Sequence, residues 1–482
     1  MTNYNFAALA VSLPEDIMKK KCYGDFEGAI ALIDNYLKKD IPEDLKDKLI
    51  LEKEILKVLP DDYPFSFDEA FEEVKEVLPD ITKKEFYELK DNGKIDWIYV
   101  NGQEKYIDTL AATLIKSNPE LKARSAKLMG LKEPPVTDYQ KALLAAIKDM
   151  KAQGQSSGRG DYVTYKIRLR NSIRIKDEVF EPGEVLVHLP LPCYSEETGD
   201  MTIISASSDD YHVSDSKCPQ RTICFNEDLT ENKEFFVSYE YKIKLKYIDA
   251  YSGKSQGERA YPSNDKCEKE NDNSRGPQNY LGEQAPHIMF TPFMKALAKK
   301  IIGTETNGLN KAKLIYDYVT LNVKYAYVRA YFTIENLSEY PAIGGRGDCG
   351  IQALMFITLC RIAGVPARWQ SGLIANPHEA CCHDWAQFYT DEYGWLFADP
   401  SFGGGAVRDN DEDRRRFYFG NIDPYRMVAN RELQMDFDPC KQFIRADPYD
   451  NQVGEIEYSG KRAIKNSEFI SKQETIFALK ED

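Results

Sequence analysis

The chain has 482 residues, of which 42% are hydrophobic and 12% aromatic, which excludes wholesale disorder and allows about two to four separate cores. Its 78 acidic residues outnumber 63 basic ones, for a net charge of -15. That balance disfavours general binding to nucleic acid or to an anionic membrane, and no run approaches the roughly 20 apolar residues of a membrane-spanning helix.

The first residues, Met1 to Pro14, lack a cationic n-region and lead into acidic, helix-like sequence. They make a poor signal peptide, so the expected compartment is the cytoplasm. The ten cysteines have no disulfide-framework spacing and are expected to be reduced thiols. Cys381-Cys382-His383 resembles a metal cluster at first sight, but strand neighbours point to opposite faces and no second CxxC or HxxxH pair exists. No metal and no cofactor are expected.

Residues 1–120 read as a helical region with a small hairpin. Phe26, Ile30, Ile33 and Leu37 recur at helical spacing, and Leu45 to Leu59 forms a second amphipathic run. Ser66-x-x-Glu69 and Thr82-x-x-Glu85 are capping-box starts. Ile95 to Val100 then meets Asn101-Gly102, a two-residue hairpin turn. Helices followed by a hairpin resemble a winged-helix unit, but the acidic balance favours docking over DNA binding.

Residues 121–160 read as a helix near 137–152 followed by a linker, Gln153 to Gly160. Over 161–250 the apolar period becomes two: Val163, Tyr165, Ile167 and Leu169, then Phe235, Val237, Tyr239, Tyr241, Ile243 and Leu245. Short strands with turn signals predict an antiparallel β-sandwich, in which His188 is a packed strand residue. Residues 251–286 are polar and rich in Gly, Asn, Asp and Pro, a linker or long loop. Residues 287–455 carry the candidate chemistry, and 456–482 are a C-terminal tail.

Within 287–455, Gly347-Asp348-Cys349-Gly350 opens an apolar helical stretch that Gly364 and Pro366 terminate. A cysteine in the first turn of a helix meets unpaired backbone N–H groups and the positive dipole end, which favour a thiolate. Those donors, with Gly350 a candidate, can also face the oxyanion of a tetrahedral intermediate. His383 follows on a strand with Trp385, Gln387 and Tyr389 on the same side, and Asp399 ends the next strand after the turn Asp391-Glu392-Tyr393-Gly394. A hairpin would set His383 and Asp399 side by side. A thiol needs a base to become a nucleophile, and the base needs a carboxylate to fix its tautomer.

Gly-Asp-Cys-Gly before an apolar helix, Gly364-Val-Pro-Ala-Arg368, His-x-Trp and Gly-Trp-x-x-x-Asp-Pro together resemble the bacterial transglutaminase-like superfamily, closely over 290–405. The resemblance implies a papain-like core, a helix bearing the cysteine packed on an antiparallel sheet bearing His and Asp. The expected fold is therefore multidomain α+β. The resemblance also implies Cys349 as nucleophile, His383 as general base and acid, and Asp399 as orienting acid. Trp385 and Arg368 match recurring positions with packing or groove-shaping roles. Asp384 departs from the small residue common there. Asn336 and Tyr340 are candidates for an upstream oxyanion donor. Stretches 417–427 and 447–455 also resemble bacterial relatives and are expected to close over the core.

Two features beside the core invite other readings. Gly403-Gly404-Gly405 suggests a surface loop or lid hinge, and Asp409 to Asp413 suggests a charged loop rather than a calcium site. The function expected is thiol-dependent acyl transfer on a peptide or glutamine amide of a protein substrate, hydrolytic rather than crosslinking. The contrasting reading is a non-catalytic binding or scaffold protein that keeps the fold. Oligomeric state and substrate identity do not follow from the sequence.

Overall fold

The computed structural model describes residues 4–131, 136–156, 162–253 and 276–481. The N-terminal unit carries helices from Glu15–Cys22 to Pro119–Leu128 around one hairpin, Trp97–Val100 with Gln103–Tyr106. Asn101 and Gly102 turn that hairpin at φ 50° and 76°, the left-handed conformation such a turn demands. Ser66 and Glu69 form the complete capping box, and the Thr82 hydroxyl accepts from the Glu85 amide. The unit has its own core, including Ile17, Phe26, Ile33, Phe71, Val74 and Phe86. The helical region extends beyond 120, since Leu121 of the last helix packs on this core.

A helix over Asp138–Ser156 enters the stretch read as a linker, whose remaining residues 157–160 lie outside the described residues. The period-two segments then form two antiparallel sheets. One orders Phe469–Glu481, Tyr162–Ile175, Phe235–Lys246 and Thr198–Ala206; the other orders Arg462–Ala463, Glu455–Tyr458, Gly183–Pro190, Thr222–Leu229 and His212–Val213. Of the expected tail 456–482, the described residues up to Glu481 are thus built into the sandwich. Phe469–Glu481 pairs with Tyr162–Ile175 from Thr164 to Ile175, supplying the hydrogen-bond partners that a long strand needs. The expected linker 251–286 falls mostly on residues 254–275, outside the described residues.

The C-terminal core is a five-stranded antiparallel sheet in the order Phe419–Gly420, Gly394–Ala398, Glu379–Thr390, Ala367–Asn376 and Arg426–Asn430. The helix Cys349–Ile362 packs against it, with the Phe356 ring 5.9 Å from that of Phe388. Every residue of this helix from Gly350 to Arg361 is buried, as its largely apolar sequence requires.

Gly403, Gly404 and Gly405 are neither loop nor hinge: they lie in the helix Pro400–Arg408. A side chain at Gly403 would overlap the Tyr316 hydroxyl, so its smallness lets two helices approach. Asp411 caps the next helix, Glu412–Phe417, and Arg415 there pairs with Asp317 and Glu412. The acidic run is therefore cap and ion-pair material.

Several polar links join sandwich and core sheet, among them those of Arg368 and Gln370. Arg368 donates to Gln387 at 2.7 Å and to Glu196 at 2.6 Å, and its guanidinium lies 3.9 Å from the centre of the Trp395 ring. Gln370 donates to Glu197 at 3.0 Å and accepts from the Trp385 indole at 2.7 Å. Gly372 pairs with His383 on one side and Val428 on the other, at a bulge. A methyl group at Gly372 would overlap the Met427 carbonyl oxygen, a backbone atom with no freedom to yield. Gly372→Ala is expected to lower stability by about 2–3 kcal/mol, read as a lower denaturant midpoint at unchanged slope.

Candidate active site

Cys349 is the first residue of its helix and half-buried, with Asp348 as N-cap accepting from the Ile351 amide at 3.2 Å. The cap leaves the first-turn amides of Cys349 and Gly350 directed at the space before the helix. Gly350 admits close neighbours: a side chain there would overlap the Tyr331 hydroxyl and stand 2.8 Å from the Asp384 carboxyl. Tyr331 donates to Asp348, so its ring closes over the cysteine's turn.

The hairpin predicted from Asp391 to Gly394 forms, pairing Ala386 with Ala398 and Thr390 with Gly394. It brings His383 and Asp399 together, with Nε2 of the imidazole 2.8 Å from Asp399 Oδ2. That bond assigns the proton to Nε2 and leaves Nδ1 as the basic nitrogen. Asp399 also caps the following helix by accepting from the Phe402 amide at 2.8 Å. Its Oδ2 meets Arg426 at 2.9 Å, and Arg426 pairs with Asp423 at 2.6 Å. Burial opposes ionisation of Asp399, but His383 and Arg426 outweigh it and hold the carboxyl below the ordinary carboxylate range.

The imidazole is fixed by packing as well. Its ring centre is 4.4 Å from that of Phe402 and 6.1 Å from that of Trp385, which lies stacked beside it. Trp385 is wholly buried. It supports the histidine and does not line a groove, because its indole is held inward by Gln370.

The thiol of Cys349 makes its described hydrogen bond to Asp384, the residue after His383, at 3.2 Å from Oδ2. The structure therefore joins His383 to Asp399 and Cys349 to the same strand, through a carboxyl noted in the sequence only as a departure. Asp384 in turn accepts from Gln452 at 2.7 Å and shares a hydrogen bond with Asp450. Burial and the neighbouring Asp450 hold the Asp384 carboxyl well above the ordinary range. Burial, then the carboxyls of Asp384 and Asp348, hold the Cys349 thiol well above its ordinary value. In this geometry the thiol is protonated.

Asn336 and Tyr340 take other places. The Asn336 carbonyl oxygen accepts from the amide and hydroxyl of Ser338 at 3.1 and 3.0 Å and from the Glu339 amide at 3.2 Å, so it caps a turn. Tyr340 is half-buried in the short helix Tyr340–Gly344. Neither has a described hydrogen bond to Cys349.

The chain has five histidines, and the others are unsuited to serve as base. His188 is the packed strand residue expected, bonded to Thr222 at 3.0 Å and stacked on Phe437, with burial lowering it to about 3. Burial likewise lowers His287, which faces the Tyr449 hydroxyl at 2.8 Å, to about 3. His212 meets Asp438 on the exposed sandwich edge, and His378 lies at an exposed turn.

Tyr331, Asp423, Arg426, Asp450 and Gln452 join the site without having been singled out. The last four lie in the two stretches expected to close over the core. Their roles follow from tertiary placement, for which local spacing carries no signal.

A helix-start cysteine against an antiparallel sheet with a buried His–Asp pair defines a papain-like thiol-enzyme core. Residues 295–400 match the family model of the transglutaminase-like superfamily, so the likeness to that superfamily lies in the C-terminal core. The chain is 22% identical over 224 residues to an uncharacterized protein of Haemophilus influenzae, covering 37% of this chain and 57% of the relative. It is 24% identical over 129 residues to the uncharacterized protein YebA of Bacillus subtilis, covering 23% of this chain and 17% of the relative. The chain thus spans less than two thirds of either relative's length. A candidate cysteine protease from Cytophaga hutchinsonii aligns with a TM-score of 0.39 and 16% identity, over 66% of this chain and 92% of that one. The periplasmic domain of TgpA from Pseudomonas aeruginosa aligns with a TM-score of 0.27 and 13% identity, over 56% and 96%. Among the described residues no helix is long and apolar enough to cross a membrane.

Removing the cation from a buried carboxylate pair leaves uncompensated charge, so Arg426→Met is expected to cost about 3–5 kcal/mol in denaturant unfolding. The pH dependence has a definite sign. Asp399 binds its proton less readily folded than unfolded, so its contribution is full above the ordinary carboxylate pKa of 3.8 and disappears as pH falls through the lower folded value. The stability difference between the parent and Asp399→Asn should therefore shrink on acidification below about pH 4.

Proposed function

We propose that the protein is a thiol-dependent acyl-transfer enzyme that hydrolyses an amide bond, in a peptide or a glutamine side chain, through a thioester on Cys349. The observation that carries this reading is the His383–Asp399 bond of 2.8 Å, closed on its far side by Arg426 and set on the strand that faces the cysteine's helix.

In the reaction, the Cys349 proton passes to His383 Nδ1 and the sulfur adds to the carbonyl carbon. Negative charge builds on the carbonyl oxygen, where first-turn amides of the helix, Gly350 included, stabilise it. The carbon–nitrogen bond then breaks, and the departing ammonia or amine takes the proton from His383. Water attacks the thioester, giving a proton to His383 and releasing the acid and the thiol. Asp399 keeps Nε2 protonated throughout and balances the imidazolium charge, and Arg426 keeps Asp399 ionised.

Water is the acceptor we favour, because Cys349 is only half-buried and so within reach of solvent. The nine described cysteines are all free thiols, which supports a reducing compartment such as the cytoplasm. The specific observation on the side of a non-catalytic scaffold is the thiol's bond to Asp384.

Ammonia release and incorporation of a fluorescent amine, assayed together on glutamine-containing casein, separate the outcomes, with cleavage of the same protein read on gels. Hydrolysis gives ammonia or peptide fragments without amine incorporation. Cys349→Ala is expected to reduce turnover by roughly 10³-fold or more while leaving the melting temperature close to the parent's. Equal turnover in Cys349→Ala and the parent would refute the assignment.

A further inference from the structure

His383 and Asp384 are consecutive on one strand, and the Cys349 thiol engages the second of them at 3.2 Å. The bond is supported on every side. The missing side chain at Gly350 leaves room for Asp384 to reach the turn of the helix, and Gln452 holds the other carboxyl oxygen, Oδ1, at 2.7 Å while also donating to the His383 carbonyl at 3.2 Å. Asp450 lies behind Asp384, sharing a hydrogen bond with it, so one of the two carboxyls carries a proton. Arg445 donates to the Asp450 carbonyl and pairs with Glu455 at 2.9 Å, anchoring this segment to the sandwich.

We infer that Asp384 is a positioning residue for the nucleophile: its carboxyl takes the Cys349 hydrogen bond in the resting enzyme, and the thiol must leave Asp384 for His383 before it ionises. The inference rests on the proposed role of Cys349 and His383. A carboxylate beside a thiol disfavours the thiolate, whereas an imidazole favours it. Two consecutive residues of one strand thus offer the sulfur opposed environments, one that it meets in the resting geometry and one that it must reach to ionise. Entry of a substrate carbonyl between helix and strand would break the resting bond, so the thiol would be activated only when a substrate is present.

The charged and titratable groups around the sulfur are few. Asp348 faces it from the cap of its helix, Asp384 from the strand, and Tyr325 and Tyr331 from the segment before the helix. Asp450 and Asp447 stand behind Asp384 from the C-terminal segment. Of these, Asp384 alone is hydrogen-bonded to the thiol.

The test is the pH profile of Cys349 alkylation by iodoacetamide, followed by peptide mass spectrometry on the full chain, in the parent, Asp384→Asn, Gln452→Ala and His383→Ala. Asp384→Asn keeps the shape and removes the carboxyl that holds the thiol proton; it is expected to move the alkylation midpoint down by about one pH unit, making the reaction near pH 7 roughly tenfold faster. Gln452→Ala, which frees the carboxyl without touching its charge, is expected to move the midpoint in the same direction by less. An unchanged or raised midpoint in Asp384→Asn, with the melting temperature retained, overturns the inference. His383→Ala separates the two readings: it should raise the midpoint, and if it leaves the profile unaltered while Asp384→Asn lowers it, the base assignment fails and the resting bond stands.

Discussion

Burying a carboxylate beside an imidazole is costly unless a cation shares the cavity, and in this protein Arg426 is that cation. Asp399, Asp423 and Arg426 are all inaccessible to solvent. The guanidinium divides its donors between the two carboxylates, and its face lies 4.6 Å from the Phe402 ring centre and 5.1 Å from that of Trp385. One guanidinium nitrogen, Nη1, finds no acceptor among the described residues, and the aromatic faces take up part of that charge. The same two rings flank His383, so the cation that ionises Asp399 also braces the packing that aims the imidazole.

The rest of the chain reads as support for that cavity. The sandwich reaches it through Glu197, Gln370 and Trp385, a buried hydrogen-bonded line ending at the ring beside His383. On the other side, the N-terminal unit holds the segment that carries Tyr331: Asp62 accepts from the Ala330 amide at 2.9 Å, one residue before Tyr331. Tyr63 of the same unit meets Arg329 at 3.4 Å. The sandwich and the C-terminal core share one continuous apolar cluster, while most of the N-terminal unit packs around a core of its own.

What the sequence made legible was whatever is encoded locally. The helix of Cys349 followed from a largely apolar stretch between Asp348 and Gly364, and the His383–Asp399 pairing followed from two period-two segments around Asp391 to Gly394. Both depend on neighbours within a few tens of residues. Arg426 was not legible as the partner of Asp399, because that pairing depends on where Arg426–Asn430 joins the sheet, beside Ala367–Asn376. The tail was misread for a related reason. Phe469–Glu481 alternates only weakly, being an edge strand with Ile470, Ile476 and Leu479 exposed, and its pairing with Tyr162–Ile175 spans the chain. Three glycines in a row suggested a loop by propensity, but close helix packing at Tyr316 overrode that preference. Asp384 was visible as an unusual residue, and its contact with the thiol required the helix and strand to be placed together.

In the proposed mechanism, the buried His383–Asp399–Arg426 assembly activates Cys349 as an acyl acceptor. Mixing the protein with p-nitrophenyl acetate and locating the acetyl group by peptide mass spectrometry tests this without knowledge of the natural substrate. The account requires a rapid burst of one p-nitrophenolate per chain and a single acetyl on Cys349, both lost in His383→Ala. An acetyl group spread over several cysteines, or an undiminished burst in His383→Ala, would contradict it.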